Sequence, residues 1–166
     1  IFGIRYMANK LTSIEKNLKN QNIFHSKNKI LGKPTVIGYD KQFRWSWMAT
    51  QLNTFIIATD FGSTKITEHI IKDHINESFN FSENNYKGWP RGMQSGLGAI
   101  SILISSNIDK DAKDFCTKLK SGKRFGGFSI PVIINSSTGE IFKFERSPIW
   151  GSMYFSYFKE LIEKIT

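Results

Sequence analysis

The chain is poor in cysteine and in long apolar runs. Its single cysteine, Cys116, cannot form an internal disulfide, so the sequence does not call for an oxidising compartment. The longest strongly apolar stretch, residues 96–104, is far shorter than the roughly 20 residues that a membrane-spanning helix needs. We therefore expect a cytoplasmic protein without a membrane partner.

Patterns for metal, cofactor or nucleophile chemistry are also scarce. His69 and His74 are five residues apart, so on a helix they point in different directions and cannot bind one metal ion together. Cys116 falls on the apolar face of a predicted helix, which is typical of a buried thiol. There is no Gly-x-Ser-x-Gly motif for a serine nucleophile. We expect no metal and no cofactor.

Two glycine-rich segments resemble nucleotide-binding loops but stand in the wrong context. Residues 96–101 precede a predicted strand, whereas a dinucleotide loop follows a strand and opens a helix. Residues 118–127 are not a Walker loop, since Thr117 replaces the first glycine and Arg124 follows the lysine. The second segment is either a basic helix end followed by a loop, or a loop that contacts phosphate.

The charge is unevenly distributed. The chain carries 23 Lys and Arg against 14 Asp and Glu, a formal net charge of +9. Residues 1–50 hold nine basic and two acidic side chains, residues 51–100 hold four and five, and residues 101–166 hold ten and seven. A basic first third favours a polyanionic partner such as nucleic acid, because contacts with phosphate release condensed counterions. The alternative is a basic surface without a specific ligand.

Hydrophobic periodicity predicts alternating helices and strands. The first part of the chain is predicted as a helix from Met7, a polar loop over 20–29, and short strands over 35–39 and 43–48 with a turn at 40–42. The middle is predicted as a buried strand over 54–60, a helix opening at Gly62 or Ser63, a long irregular connection over 81–98 and a buried strand over 99–105. The last part is predicted as a helix capped near Asp109 and ended at Gly122, a hairpin over 128–135 and 140–145, and a final helix from about Ser152.

This order of elements predicts the fold class. Strands joined through helices require a parallel portion of the sheet, and the hairpins add antiparallel neighbours. No repeat, low-complexity tract or Pro/Gly/Ser-rich linker interrupts the chain. We expect one α/β domain over residues 1–166, with three layers and a mixed central β-sheet that carries helices on both faces.

The positions of the aromatic residues allow two interpretations. Phe43, Trp45 and Trp47 alternate along a predicted strand, where their rings either pack beneath a helix or form a platform for stacked bases. Trp89 and Trp150 fall in proline-containing loops, a position that favours binding.

Residues 91–119 resemble the second half of the Mrr-type restriction-endonuclease-like domain. Gly98-Ala99 leads into an apolar strand that ends in Ser105-Ser106, and the next helix has an early Ala112. The resemblance implies an acidic residue and a Glu/Gln-x-Lys motif that together bind Mg²⁺. Gln51-Leu52-Asn53 stands near the expected place but lacks the lysine, which indicates a degenerate or displaced active site.

The run from Thr54 onward also resembles a thioredoxin-like core. Ile130-Pro131 stands where that fold has its cis-proline, but Gly62-Ser63-Thr64-Lys65 replaces the redox motif without a cysteine, so thiol chemistry is excluded. The two resemblances imply different sheets. The first places residues 35–60 as a meander inside the sheet, and the second leaves residues 1–50 outside it.

Three functions remain. The first is a non-catalytic, nucleic-acid-associated module that uses Lys120, Lys123, Arg124, Arg44, Trp89 and Arg91. The second is a divergent Mg²⁺-dependent nuclease that uses Asp60 or Asp40 with Glu140 or Glu145 and Lys143. The third is a protein-interaction domain built on the aromatic segments 81–92 and 147–155. The composition favours the first, with nucleic acid as the partner and a protein as the alternative.

Overall fold

A computed structural model describes residues 9–91, 94–119, 123–124, 127–146 and 152–166. The helices are α1 Lys10–Asn20, α2 Glu68–Asn85, α3 Lys110–Thr117 and α4 Ser152–Ile165. The strands are β1 Phe24–Ile30, β2 Lys33–Arg44, β3 Thr50–Asp60, β4 Ser95–Ser105, β5 Lys123–Arg124, β6 Gly127–Asn135 and β7 Ile141–Phe142. A short 3₁₀ helix, Trp45–Trp47, joins β2 to β3.

The strands form one mixed sheet in the order β1-β2-β3-β4-β6-β5, with β7 also paired to β6. The first three strands are an antiparallel meander, whereas β3, β4 and β6 run parallel and are connected through α2 and α3. The strands of residues 24–60 therefore all belong to this sheet. The peptide bond before Pro131 is trans, and Pro131 lies within β6.

The helices cover both faces of the sheet, which confirms the predicted three-layer α/β class. α1 and α4 pack on one face against side chains such as Ile56, Ile100 and Val132. α2 and α3 pack on the other face against Leu103 and Ile133. Along β4 and β6, the side chains of the two faces alternate. Burial on both faces explains why β3, β4 and β6 read as continuous apolar runs in the sequence.

The contact between α1 and the sheet depends on Gly38. A Cβ atom at Gly38 would lie 2.6 Å from Cδ2 of Leu18, a buried residue of α1. The absence of a side chain therefore lets this helix approach β2 closely. The buried face of α1, Leu11, Ile14 and Leu18, is the one that the periodicity predicted, although Met7 lies outside the described residues.

Two predictions for the first half of the chain are wrong. The predicted loop at 20–29 is largely β1, an edge strand whose middle residues are exposed and polar. The sequence of this strand therefore shows no alternation of apolar and polar residues. The predicted turn at 40–42 lies within β2, which continues to Arg44. Only then does the chain turn, through Trp45–Trp47, so the three aromatic residues from Phe43 to Trp47 do not share a strand face.

The predicted limits of α2 are also wrong. The helix begins at Glu68 with Thr67 as its N-cap, not at Gly62 or Ser63, because residues 62–66 first cross to contact the segment before α3. α2 extends to Asn85 and β4 begins at Ser95, so the irregular connection between them is shorter than expected.

The second half agrees more closely with the sequence. α3 follows Asp109 and buries Cys116, and α4 begins at Ser152. The β6–β7 hairpin is present, although β7 is shorter than the predicted strand over 140–145. Gly122 and Trp150 lie outside the described residues. Within the described part of the chain, no helix is both long and apolar enough to cross a membrane.

Candidate nucleic-acid interface

The parallel strands give the sheet two chemically different ends. β3, β4 and β6 begin at Thr50, Ser95 and Gly127, and we call this the amino end of the sheet. The tip of the β2–β3 hairpin lies at the amino end, because Arg44 pairs with Thr50. At the other end, the carboxyl end, the same strands stop beside the starts of the loops that lead to α2 and α3.

The hairpin tip turns one tryptophan inward and leaves the other in solvent. Trp47 is 2% exposed, and its indole N–H donates a hydrogen bond of 3.0 Å to the carbonyl of Met153. Trp45 is 80% exposed and Met48 76% exposed. Met48 and Ala49 both have left-handed backbone conformations, with φ of 55° and 57°. Residues other than glycine rarely adopt this conformation. This tight turn fixes the direction in which Trp45 projects.

Trp45 belongs to a cluster of three exposed rings, Phe43, Trp45 and Trp89, which we call the aromatic patch. Phe43 lies between the two indoles, with ring centroids 5.2 Å from Trp45 and 5.7 Å from Trp89. Both contacts are edge-to-face, so the rings do not stack on one another. Phe43 is 40% exposed and Trp89 44% exposed, so the patch is open to solvent.

A buried cluster of amide side chains holds Trp89 in place. The side-chain oxygen of Gln51 accepts a hydrogen bond of 2.9 Å from the backbone N–H of Trp89. Asn53 is fully buried, and its Oδ1 accepts a hydrogen bond of 2.6 Å from the Tyr39 hydroxyl. A Cβ atom at Gly88 would lie 2.5 Å from Nδ2 of Asn53, so only glycine lets the loop lie so close to the sheet.

Tyr39 connects this cluster to the loop from the other side. Burial raises the pKa of its hydroxyl, which therefore keeps its proton and donates to Asn53. The same oxygen accepts a hydrogen bond of 3.2 Å from the backbone N–H of Lys87. The loop from Tyr86 to Trp89 is thus anchored at two points, and Trp89 is positioned before any ligand arrives.

The charge beside the aromatic patch is positive. Lys41 lies two residues before Phe43 on the same face of β2, and Lys87 lies two residues before Trp89. Both lysines are exposed. The neighbouring acid, Glu83, forms an ion pair with Arg91. The two lysines are therefore free to meet an anionic partner.

Two of the predicted binding residues have other roles in the fold. The Arg44 guanidinium lies over the rings of Trp47 and Tyr157, at 4.6 and 5.4 Å from their centroids, on the opposite face of β2 from Phe43. Arg91 pairs with Glu83 and lies over a buried ring of α2. Both remain near the amino end, but neither points into the aromatic patch as a free charge.

Of the remaining predicted binding residues, Trp89, Lys123 and Arg124 fall at the same end of the sheet. Trp89 is part of the aromatic patch. Lys123 and Arg124 form β5, which pairs with the first two residues of β6. Lys120 lies outside the described residues. The topology thus gathers residues from distant parts of the sequence at the amino end.

The proposed nuclease residues are divided between the two ends of the sheet, with Asp60 and Glu140 at the carboxyl end. Asp60 ends β3 at the carboxyl end, where its Oδ1 accepts a hydrogen bond of 2.9 Å from the backbone N–H of Gly62. The carbonyl of Glu140 pairs with Asn135 at the same end. The backbone N–H of Glu145 donates instead to the carbonyl of Thr117, at the last residue of α3 and towards the amino end.

The lysine and the alternative acid of that hypothesis are engaged elsewhere. Lys143 lies 3.5 Å from a carboxylate oxygen of Glu163. Asp40 accepts hydrogen bonds from the amide of Gln42 and from the hydroxyl of Tyr157. Burial and the nearby Asp40 carboxylate raise the pKa of Tyr157, so this hydroxyl stays a donor.

A cleft of about 530 Å³ opens at the carboxyl end, with Asp60, Ser106 and Asn135 among its lining residues. The start of α1, at Asn9 and Lys10, also lines it. Among the residues that the structure describes, no group of three His, Cys, Asp or Glu side chains is placed to hold a metal ion.

Sequence reasoning missed three parts of the interface. It did not single out Lys41 or Lys87, and it treated Phe43, Trp45 and Trp47 as one row of a strand. Gly88 was likewise not recognised as a close contact with the sheet. The Trp-Pro pair at residues 89–90 was the one usable signal, since proline marks a loop and an aromatic residue in a loop favours binding.

No protein-family profile, curated protein or solved structure matches this chain, so the candidate interface is defined by the chain's own residues.

Proposed function

We propose that the protein is a non-catalytic, nucleic-acid-associated module that contacts its ligand through the aromatic patch and the lysines beside it, Lys41 and Lys87. The observation that carries this proposal is the exposed, edge-to-face cluster of Phe43, Trp45 and Trp89. Aromatic rings next to cations fit both parts of a nucleotide, since the rings contact bases and the lysines contact phosphates.

Two further features support the proposal. The net charge of +9 favours association with polyanions in general. The segment that the endonuclease-like resemblance would make catalytic, Gln51-Leu52-Asn53, carries no charge, and its two amides are buried beneath Gly88. Amides held in this way organise a binding loop and leave no open carboxylate for a metal ion.

The test is binding of fluorescently labelled nucleic acids, single-stranded and duplex, over a salt series that starts at about 50 mM. We expect at least one form to bind with micromolar affinity and to weaken log-linearly as salt rises. The double variant Lys41→Glu, Lys87→Glu should lose about tenfold or more in affinity at low salt, because two phosphate contacts become repulsive.

Lys29→Glu is the matched control, since Lys29 is an exposed lysine of β1 that lies far from the amino end. This variant changes the net charge but not the patch, so its affinity should change little. No binding of either form at about 50 mM salt would refute the proposal, because electrostatic attraction is strongest there. A protein partner for the aromatic patch would then become the leading function.

A further inference from the structure

We infer that the aromatic patch selects single-stranded nucleic acid over duplex, with bases stacking on the exposed indoles of Trp45 and Trp89. This inference rests on the proposed function and narrows it to one class of ligand. Two features of the amino end carry it, the exposure of the rings and their mutual geometry.

The exposure of Trp45 leaves a ring face available for stacking. Of the two tryptophans at the hairpin tip, the buried Trp47 belongs to the core, whereas Trp45 is mostly exposed and lies outside the core cluster. Bases in a duplex already have both faces covered by their neighbours, whereas an unpaired base exposes its faces. A protruding indole therefore gains most of its contact area from a single strand.

The geometry of the patch keeps more than one stacking surface open. Phe43 meets Trp45 at an interplanar angle of 84° and Trp89 at 63°. An edge-to-face contact occupies at most one face of a ring, so neither indole is sandwiched by Phe43. Tyr39 and Phe55 behave differently, since they stack at 4.3 Å and 7° within the core and offer no such surface.

The two lysines described beside the patch give a single strand a salt dependence that can be measured. Two exposed lysines, Lys41 and Lys87, flank the aromatic patch. A single strand that contacts both would show a salt slope, the change in log affinity with log salt, of about −1.4. A duplex-binding protein commonly makes 6–10 phosphate contacts and has a much steeper slope.

The helix ends at the amino end of the sheet differ in electrostatic character. α2 stops at Asn85 and α3 at Thr117, so both present their C-terminal ends towards the amino end of the sheet. The carbonyl groups at a helix C-terminus carry partial negative charge and repel phosphate. α4 begins at the same end, where the carbonyl of Met153 accepts the hydrogen bond from Trp47, and a helix N-terminus attracts phosphate. The exposed rings, and not the helix ends, therefore carry the preference for a single strand.

The experiment compares four ligands of one sequence, each about 12 nucleotides long: single-stranded DNA, the matching RNA, the DNA duplex and a single strand whose bases are replaced by abasic sites. We expect the DNA or RNA single strand to bind at least tenfold more tightly than the duplex. The abasic strand should lose a similar factor, because it keeps the phosphates and lacks the rings. Tryptophan fluorescence should be quenched by the intact single strand and not by the abasic one.

Variants of Trp45 test the stacking directly. Trp45→Ala should weaken single-strand binding about 5- to 100-fold, and Trp45→Phe should lose less because a ring remains. Leu31→Ala is the matched control, since Leu31 is an exposed apolar residue on the β1–β2 turn, far from the patch. Unfolding temperatures of all three should stay near that of the unchanged protein, because both positions are exposed.

The outcomes separate the inference from the function on which it rests. Equal binding of duplex and single strand, equal binding of the abasic strand, or full affinity in Trp45→Ala would overturn the stacking inference while the nucleic-acid proposal stands. No binding of any of the four ligands at about 50 mM salt would overturn both.

Discussion

The side chain of His74 is fully buried on α2 and belongs to a chain of hydrogen bonds that crosses into the sheet. Its Nε2 lies 2.8 Å from the hydroxyl of Thr59, which lies 2.8 Å from that of Thr35. Thr35 in turn donates to the carbonyl of Lys33. Each hydroxyl has one proton to donate, so Nε2 carries the ring proton and Nδ1 accepts from Ser78, at 3.4 Å.

This burial makes folding stability sensitive to acid. Burial lowers the pKa of His74 to about 3, so the folded protein keeps the ring neutral while the unfolded chain binds a proton below about pH 6.5. Stability contributed by His74 is complete above pH 6.5 and decreases as the pH falls below it. The free energy of unfolding should drop by about 1 kcal/mol between pH 7 and pH 5.5.

Denaturant titrations at the two pH values measure this loss. His74→Gln keeps an N–H for Thr59 but cannot be protonated, so most of the pH dependence in this window should disappear in that variant. His69→Gln is the control on the same helix, because His69 is exposed and its nearest carboxylate is Asp73. A pH dependence that survives in His74→Gln but is lost in His69→Gln would contradict the assignment.

The two crossover helices begin in different ways. At the start of α2, the hydroxyl of Thr67 accepts a hydrogen bond of 3.3 Å from the backbone N–H of Ile70. At the start of α3, the Asp109 side chain makes no such bond to the helix and instead lies 3.9 Å from the Lys65 ammonium group. A side-chain cap satisfies one of the backbone N–H groups that a helix start leaves unpaired.

The two caps should therefore respond differently to truncation. Thr67→Ala should lower the free energy of unfolding by about 1 kcal/mol, because it leaves an N–H of α2 without its acceptor. Thr67→Ser keeps the acceptor and should recover most of that loss. Asp109→Ala should cost less than Thr67→Ala, since only an exposed ion pair is removed. Chemical denaturation of the three variants tests the order, and a larger loss in Asp109→Ala would contradict it.

The aromatic patch and the cleft that contains Asp60 lie at opposite ends of the sheet. The aromatic patch lies at the amino end, whereas Asp60 lines the cleft at the carboxyl end. Glu145 is tied to the far end of α3, a helix of eight residues and thus about 12 Å long. Carboxylates that share a metal ion each lie within about 2.6 Å of it, so this separation opposes a site shared by Asp60 and Glu145.

Magnesium should accordingly have no specific effect. We expect the unfolding temperature in MgCl₂ to match that in NaCl of equal ionic strength, and no cleavage of bound single strand or duplex to accompany Mg²⁺. Thermal unfolding and a gel assay of labelled DNA provide the two readouts. A rise in unfolding temperature that both Asp60→Asn and Glu145→Gln abolish would show that the two carboxylates do share an ion.

The sequence by itself determined the class of fold and the identity of the core. Local periodicity predicts the continuous apolar runs of β3, β4 and β6, the helical spacing in α1 and the buried position of Cys116. This is possible because burial on one or both faces of an element requires apolar residues at regular positions nearby in the sequence. Edge strand β1 and the start of α2 lack that pattern, and there the predictions failed.

Only the tertiary structure decided the aromatic patch. Which of Trp45 and Trp47 faces solvent depends on left-handed backbone at Met48 and Ala49, for which the sequence offers no glycine or asparagine. Trp89 meets Phe43 because buried amides from β3 hold a loop far along the chain. Contacts between residues distant in sequence leave no periodic signal, so the aromatic patch exists only once the sheet has brought its parts together.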